Sequence, residues 1–177
     1  MHNLFLLAAI LMMPTTQPYL LIDFSTPNEV AQWQVINDGV MGGRSRGSFS
    51  AAEGDAVFEG TVSLENSGGF TSVRRSFDPI SVEPYSTVVL YIEGDGRRYQ
   101  FRIKQHPQQA YAYTAYFQTK EGPQVIMLPF NSFIPSFRGS VLDKPPYAGD
   151  KIGEIGILIG NKKAEAFRLK ISKIVLE

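Results

Sequence analysis

The residues of this chain best suited to chemistry fall in four short stretches. The first, "WQVINDGVMGGRSRGSFS" (33–50), holds Asn37 and Asp38 ahead of Gly39, Gly42 and Gly43. A glycine-dense loop cradles phosphate when it ends in Gly-Lys-Ser/Thr, or opens a helix as Gly-x-Gly-x-x-Gly. Neither pattern is present, and the following segment reads as strand. Turn chemistry accounts for the same residues: Asn37 and Asp38 bond nearby backbone, Gly39 and Gly42 or Gly43 take conformations forbidden to other residues, and Trp33 fills core. In the second stretch, "GFTSVRRSF" (69–77), strand alternation sets Phe70, Ser72, Arg74 and Ser76 on one face and Thr71, Val73, Arg75 and Phe77 on the other. Val73 and Phe77 read as core. Phe70, Ser72 and Arg74 then form an aromatic, a hydroxyl and a guanidinium in a row, able to stack on and hydrogen-bond a sugar, a carboxylate or a peptide; a surface arginine over a partly buried ring is the alternative. In the third, "SFRGS" (136–140), Pro135 and Gly139 mark a bend, so Arg138 either pins a loop through backbone carbonyls or faces a ligand. The fourth, "QAYAYTAYFQT" (109–119), alternates Tyr111, Tyr113, Ala115 and Phe117 against Ala112, Thr114 and Tyr116, so one aromatic set suits sugar stacking or sandwich filling.

Catalytic arrangements are not assembled. A Ser-His-Asp hydrolase would have to use His106, whose "KQHPQQ" context reads as a polar loop, and no Gly-x-Ser-x-Gly elbow occurs. Asp38, Glu65, Glu93 and Asp95 supply carboxylates, but no spacing sets a pair at a glycosidase separation. The chain has no cysteine, which excludes disulfides, thiol nucleophiles and zinc-thiolate sites, and two histidines, His2 and His106, cannot build a multi-histidine metal centre. No dense acidic loop suggests calcium. The expectation is a protein that is not an enzyme, with no cofactor and no metal. The 17 basic and 17 acidic residues cancel, so no net field draws the chain to nucleic acid, although a local patch is compatible with that balance.

The elements that must position these residues are short strands. "RYQFRIK" (98–104) alternates strictly, with Tyr99, Phe101 and Ile103 on one face and Arg98, Gln100, Arg102 and Lys104 on the other. "FRLKISKI" repeats the device with Phe167, Leu169 and Ile171 inward, while "TVVLYIE" and "IGILIG" are apolar runs suited to strands covered on both sides. Asp95-Gly96 reads as a two-residue hairpin turn and "ENSGGF" (65–70) as a second hairpin joint. About ten strands emerge, with "PNEVAQW" (27–33) as one short helix, at intervals that favour an antiparallel sandwich or barrel. The 177 residues suit one domain over 19–177. Residues 1–18 contain "LFLLAAILMM", an apolar run of signal-peptide length and too short to span a bilayer, so they read as a signal peptide or an apolar N-terminal segment. Location is left between cytoplasmic and exported.

The blocks "WQVINDGVMGGRSRGSF", "FEGTVSLENSGGFTSVR", "GDGRRYQFRI", "LPFNSFIPSFRG" and "IGEIGILIGNKKAEAFRLKISKI", in this order over roughly residues 20–175, resemble the complex I intermediate-associated protein 30 family. The resemblance implies an all-β, antiparallel jelly-roll β-sandwich of the galactose-binding-domain-like kind. It also implies a non-catalytic binding module resembling factors that hold intermediates of respiratory complex I, binding a protein partner in a chaperone-like role. Related sandwiches are common among carbohydrate-binding modules, so the alternative is an extracytoplasmic carbohydrate-binding module. If the family's blocks converge at one end of the sandwich, Asn37, Asp38, Asn66, Arg74 and Arg138 form one polar cluster beside Phe70 and Ser72. The expected partner is thus a protein, with respiratory complex subunits among the candidates, or a carbohydrate; nucleic acid and a transmembrane span are not expected.

Overall fold

A computed structural model describes residues 17–177. In chain order its strands are β1 (Tyr19–Asp23), β2 (Gln34–Asn37), β3 (Arg46–Ala52), β4 (Asp55–Val62), β5 (Thr71–Ser81), β6 (Thr87–Asp95), β7 (Arg98–Lys104), β8 (Ala112–Gln118), β9 (Glu121–Pro129), β10 (Ile134–Phe137), β11 (Ser140–Val141), β12 (Lys151–Ile159) and β13 (Glu165–Leu176). They form two antiparallel sheets. One runs β3-β4-β13-β6-β9, with β1 completing it beside β13; the other runs β11-β10-β8-β7-β12-β5-β2. The all-β sandwich expected from the strand pattern is the fold observed.

Period-two patterning decides which side chains meet between the sheets. From β7, Tyr99, Phe101 and Ile103 are fully buried, and from β13 so are Leu169 and Ile171, with Phe167 nearly so. The apolar runs of β6 and β12 add Val88, Leu90, Ile155, Ile157 and Ile159. Trp33 lies in this core as expected, 5.3 Å from Phe49 between ring centroids, and an aromatic file continues through Phe58, Phe167, Tyr99 and Phe117. Edge-on and tilted ring pairs at such distances each add roughly 0.5–1.5 kcal/mol beyond area burial.

Three local expectations are corrected. The segment 27–33 contains only a three-residue 3-10 turn, Val30–Gln32, because left-handed Asn28 interrupts it. Neither expected hairpin forms. The "ENSGGF" segment carries the chain from β4 in one sheet to β5 in the other, and Asp95-Gly96 carries it from β6 to β7 in the same manner. The reason is that both flanks of β4 are taken by β3 and β13, and both flanks of β6 by β13 and β9, so the next strand has no free edge and must cross the core. Gly96 does take the positive φ expected of it, at 79°. Asp95 fixes this crossover, accepting from the Arg97 and Arg168 amides at 2.9 and 2.7 Å and from the Tyr99 hydroxyl at 2.9 Å.

Candidate functional site

The glycine loop is a knot rather than a cradle. Asp38, 1 % exposed, opens the 3-10 turn Asp38–Met41 and spends both carboxylate oxygens on its neighbours. Its Oδ1 accepts from the Ser45 amide at 3.0 Å; its Oδ2 accepts from the Ser45 hydroxyl and from the amides of Gly69 and Phe70 at 2.7 and 3.3 Å. Burial pushes the Asp38 pKa upward, and these hydrogen bonds more than reverse it, holding the carboxyl below its ordinary value. Asn37 Oδ1 accepts from the Gly47 amide at 2.9 Å and the Thr71 hydroxyl at 2.6 Å. The two side chains therefore tie the 38–45 loop to the start of β5. Gly42 has the left-handed φ of 86°, whereas Gly43 serves a different need: a Cβ there would lie 2.3 Å from Asp38 Cγ.

What this knot steadies is one wall of a cleft. The cleft, about 660 Å³, lies on the outer face of the seven-stranded sheet. Its floor is built by register. One cross-strand row reads Gln34, Arg74, Gly156, Arg102, Thr114 and Ile134 from β2 to β10; the next reads Ile36, Ser72, Leu158, Gln100 and Tyr116. Phe70 and the 67–69 loop stand at one side, and the β10–β11 hairpin with Phe137, Arg138 and Val141 at the other. Arg138 occupies the tip of that two-residue hairpin turn with φ 48°, a conformation costly for a side chain other than Asn or Gly, and its guanidinium lies 5.3 Å from the Phe137 ring.

The electrostatics of the cleft are lopsided. Five cationic side chains line it, Arg74, Arg102, Lys104, Arg138 and Lys162, against one carboxylate, Glu154. That carboxylate is occupied: Lys104 Nζ sits 3.0 Å from Oε1 and the Ser76 hydroxyl donates to Oε2 at 2.9 Å. Among the described residues, the Arg74 guanidinium donates only to the Gln34 side-chain oxygen, at 3.2 and 3.3 Å. Among the described residues, Arg102 Nε is buried with no hydrogen-bond partner. Burial pulls the Arg102 guanidinium below its ordinary range; Glu154 opposes this and Arg74 adds to it.

The expected single polar cluster does not form. Phe70, Ser72, Arg74 and Arg138 line the cleft, while Asn37 and Asp38 lie behind its wall and Asn66, left-handed at φ 55° and exposed, lies outside the lining. In β8, Tyr113, Ala115 and Phe117 go to the core and Thr114 and Tyr116 to the cleft. Sequence reasoning missed Arg102, Gln100, Lys104 and Glu154 as site residues. The outward face of "RYQFRIK" carried the signal for three of them, but nothing local shows that β7 lies two strands from β5.

A profile of the family described as "Complex I intermediate-associated protein 30" matches residues 22–171, most of the chain. The chain belongs to that family. A Drosophila melanogaster relative, "Complex I intermediate-associated protein 30, mitochondrial", is 26 % identical over 186 aligned positions that cover 89 % of this chain. The chain spans 62 % of that relative's length. Among solved structures, the family 11 carbohydrate-binding module of the cellulosomal cellulase Lic26A-Cel5E of Clostridium thermocellum superposes with a TM-score of 0.69 at 15 % identity, covering 92 % of this chain and 95 % of its own. The agarase AgWH50C superposes with 0.61 at 12 % identity over 92 % of this chain but 24 % of its own. At these identities the similarity shows the shared sandwich.

Proposed function

We propose that this chain is a non-catalytic binding module that holds an extended segment of a protein partner in the cleft of its seven-stranded sheet, in an assembly-factor-like role. The observation that carries this reading is the pairing of a polar, cationic floor with an aliphatic and aromatic rim. Leu64, Ile134, Phe137 and Val141 line the cleft with 46, 37, 43 and 67 % of their surface in water. Such a rim suits the side chains of a peptide, whose amides the floor's donors can bond. Sugar stacking, by contrast, competes here with cations beside the rings: Tyr116, still 46 % exposed, has the Arg98 guanidinium at 4.1 Å, Phe137 has Arg138 at 5.3 Å and Tyr111 has Lys144 at 5.5 Å. Membership of a family named for complex I intermediates agrees with a protein partner.

The second reading is carbohydrate binding. It rests on the sandwich shared with carbohydrate-binding modules, one of them solved with a β-1,3-1,4-mixed-linked tetrasaccharide. Affinity purification of the tagged full-length chain, beside a Ser72→Trp variant that fills the cleft, separates the two. Respiratory-complex subunits recovered with the parent chain and lost with a folded variant would support the protein-partner reading. A rise in melting temperature with mixed-linkage glucan, abolished by the same variant, would overturn it.

A further inference from the structure

The cleft floor contains more positive charge than the protein itself neutralises. The whole chain is balanced, 17 against 17, so the excess of five cations over one carboxylate in the cleft is a local concentration. Of the ion pairs among the described residues, only Lys104 with Glu154 lies there. Four cations remain, Arg74, Arg102, Arg138 and Lys162, and the first two stand on the floor. Arg74 and Arg102 are the direct cross-strand partners of Gly156 on its two sides, which sets their Cα atoms about 10 Å apart, two strand spacings. Gly156 presents no side chain toward the cleft between them, and close strand packing keeps it so: a Cβ there would sit 2.9 Å from the Val73 carbonyl oxygen and 3.4 Å from Arg74 Cβ. Arg102 also has an Nε–H that is out of water and, among the described residues, unbonded. A buried donor in that state costs free energy, which a ligand oxygen recovers once the guanidinium turns to meet it.

We propose that the Arg74–Gly156–Arg102 row is a carboxylate-recognition subsite, so that the partner segment held in the cleft carries an Asp or Glu side chain seated over Gly156 between the two guanidiniums. This rests on the reading that the cleft holds a protein segment. A planar carboxylate matches the fork of a guanidinium with two parallel hydrogen bonds. Arg102 supplies the desolvated donor and Arg74, anchored by Gln34, the second cation. Glu154 stands on the adjacent row, directly opposite Lys104 and Ser76, and its charge favours a single negative charge over the double charge of a phosphate. The aliphatic rim then requires apolar residues beside the acid, which makes the preferred segment acidic and amphipathic.

The test is selection of a displayed random-peptide library on the full-length chain, followed by synthetic pairs of each selected peptide in which Asp or Glu is replaced by its amide. The expected result is acidic peptides whose affinity falls about tenfold or more as amides. That difference should vanish in Arg102→Met and in Arg74→Met, with the melting temperature of Arg102→Met unchanged or raised, because its Nε has no protein partner to lose. Should Arg102→Met fail to fold, Arg74→Met alone reads the same difference. Selected peptides without acids, an amide penalty that survives in both variants, or a preference for phosphoserine over Glu would each overturn the subsite and leave a peptide-binding cleft standing. Failure to select any peptide, together with stabilisation by mixed-linkage glucan or a uronate oligosaccharide, would overturn the protein-partner reading as well.

Discussion

Asp38 and Gly43 show how a single contact can decide what a loop tolerates. Four donors converge on the Asp38 carboxylate, and Gly43 and Gly68 are flush against it, with hypothetical Cβ atoms 2.3 Å from Cγ and 2.5 Å from Oδ2. Asp38→Asn keeps the shape, removes the charge and turns an acceptor into a donor facing donors, so it should cost about 2–4 kcal/mol in denaturant unfolding. Gly43→Ala should cost more than Gly42→Ala, although Gly42 is the residue with positive φ: a methyl at 42 meets nothing within 4 Å among the described residues and costs about 1 kcal/mol of backbone strain. The reverse order of unfolding midpoints would refute the packing role given to Gly43. Sequence alone identified the turn and its residue types. It could not assign a cause to each glycine, because the cause at 43 is a carboxylate whose position depends on Gly69 and Phe70, thirty-one and thirty-two residues later.

At the scale of the element, alternation made β5, β7, β8 and β13 readable, since inward and outward sets follow from period two once one face is apolar. The connections were not readable in the same way. Asp95-Gly96 has the chemistry of a tight turn in either setting, and only the occupied flanks of β6, by strands far along the chain, turn it into a crossover. Asp95 is then the fastening of two sheets, so Asp95→Ala should destabilise by about 2–4 kcal/mol, with the Tyr99 hydroxyl and the Arg168 amide losing their acceptor. An effect below about 0.5 kcal/mol, the size of an ordinary surface change, would contradict this. In the β10–β11 hairpin the opposite sign is expected: Arg138→Gly relieves a left-handed arginine and should raise stability by up to about 1 kcal/mol. If Arg138 also serves the cleft, that gain is accompanied by weaker partner binding, which a titration with a selected peptide measures.

For the molecule as a whole, acid is the informative perturbation. Asp38 and Asp150 both have pKa values that burial would raise and that hydrogen bonds, from Ser45 and loop amides in one case and Gln105 in the other, bring below the ordinary value of 3.8. A lowered folded-state pKa means the unfolded chain binds more protons, so the stabilisation is present above about pH 4 and is lost as pH falls from there through the lower folded-state values. Melting temperature followed from about pH 6 to pH 2 should fall steeply only below about pH 4, and Asp38→Asn should flatten the curve. Partner binding should weaken with salt because the cleft's cationic excess is exposed to screening. The cleft itself was the part least legible from sequence: its floor residues come from β2, β5, β7, β8, β10 and β12, and their convergence is a property of strand order, which no local pattern encodes.

Strand order has one more outcome. The last strand, β13, lies in the interior of the six-stranded sheet, paired to β6 on one flank and to β4 and then β1 on the other. During synthesis, everything from β1 to β12 leaves the ribosome before the strand that joins β1, β4 and β6 exists outside it. The nascent chain therefore waits with three strands lacking their shared neighbour, and closure of that sheet comes after β13 emerges. Long-range closure of this kind is slow and leaves unpaired edges exposed, so the protein should depend on holdase protection until β13 has emerged.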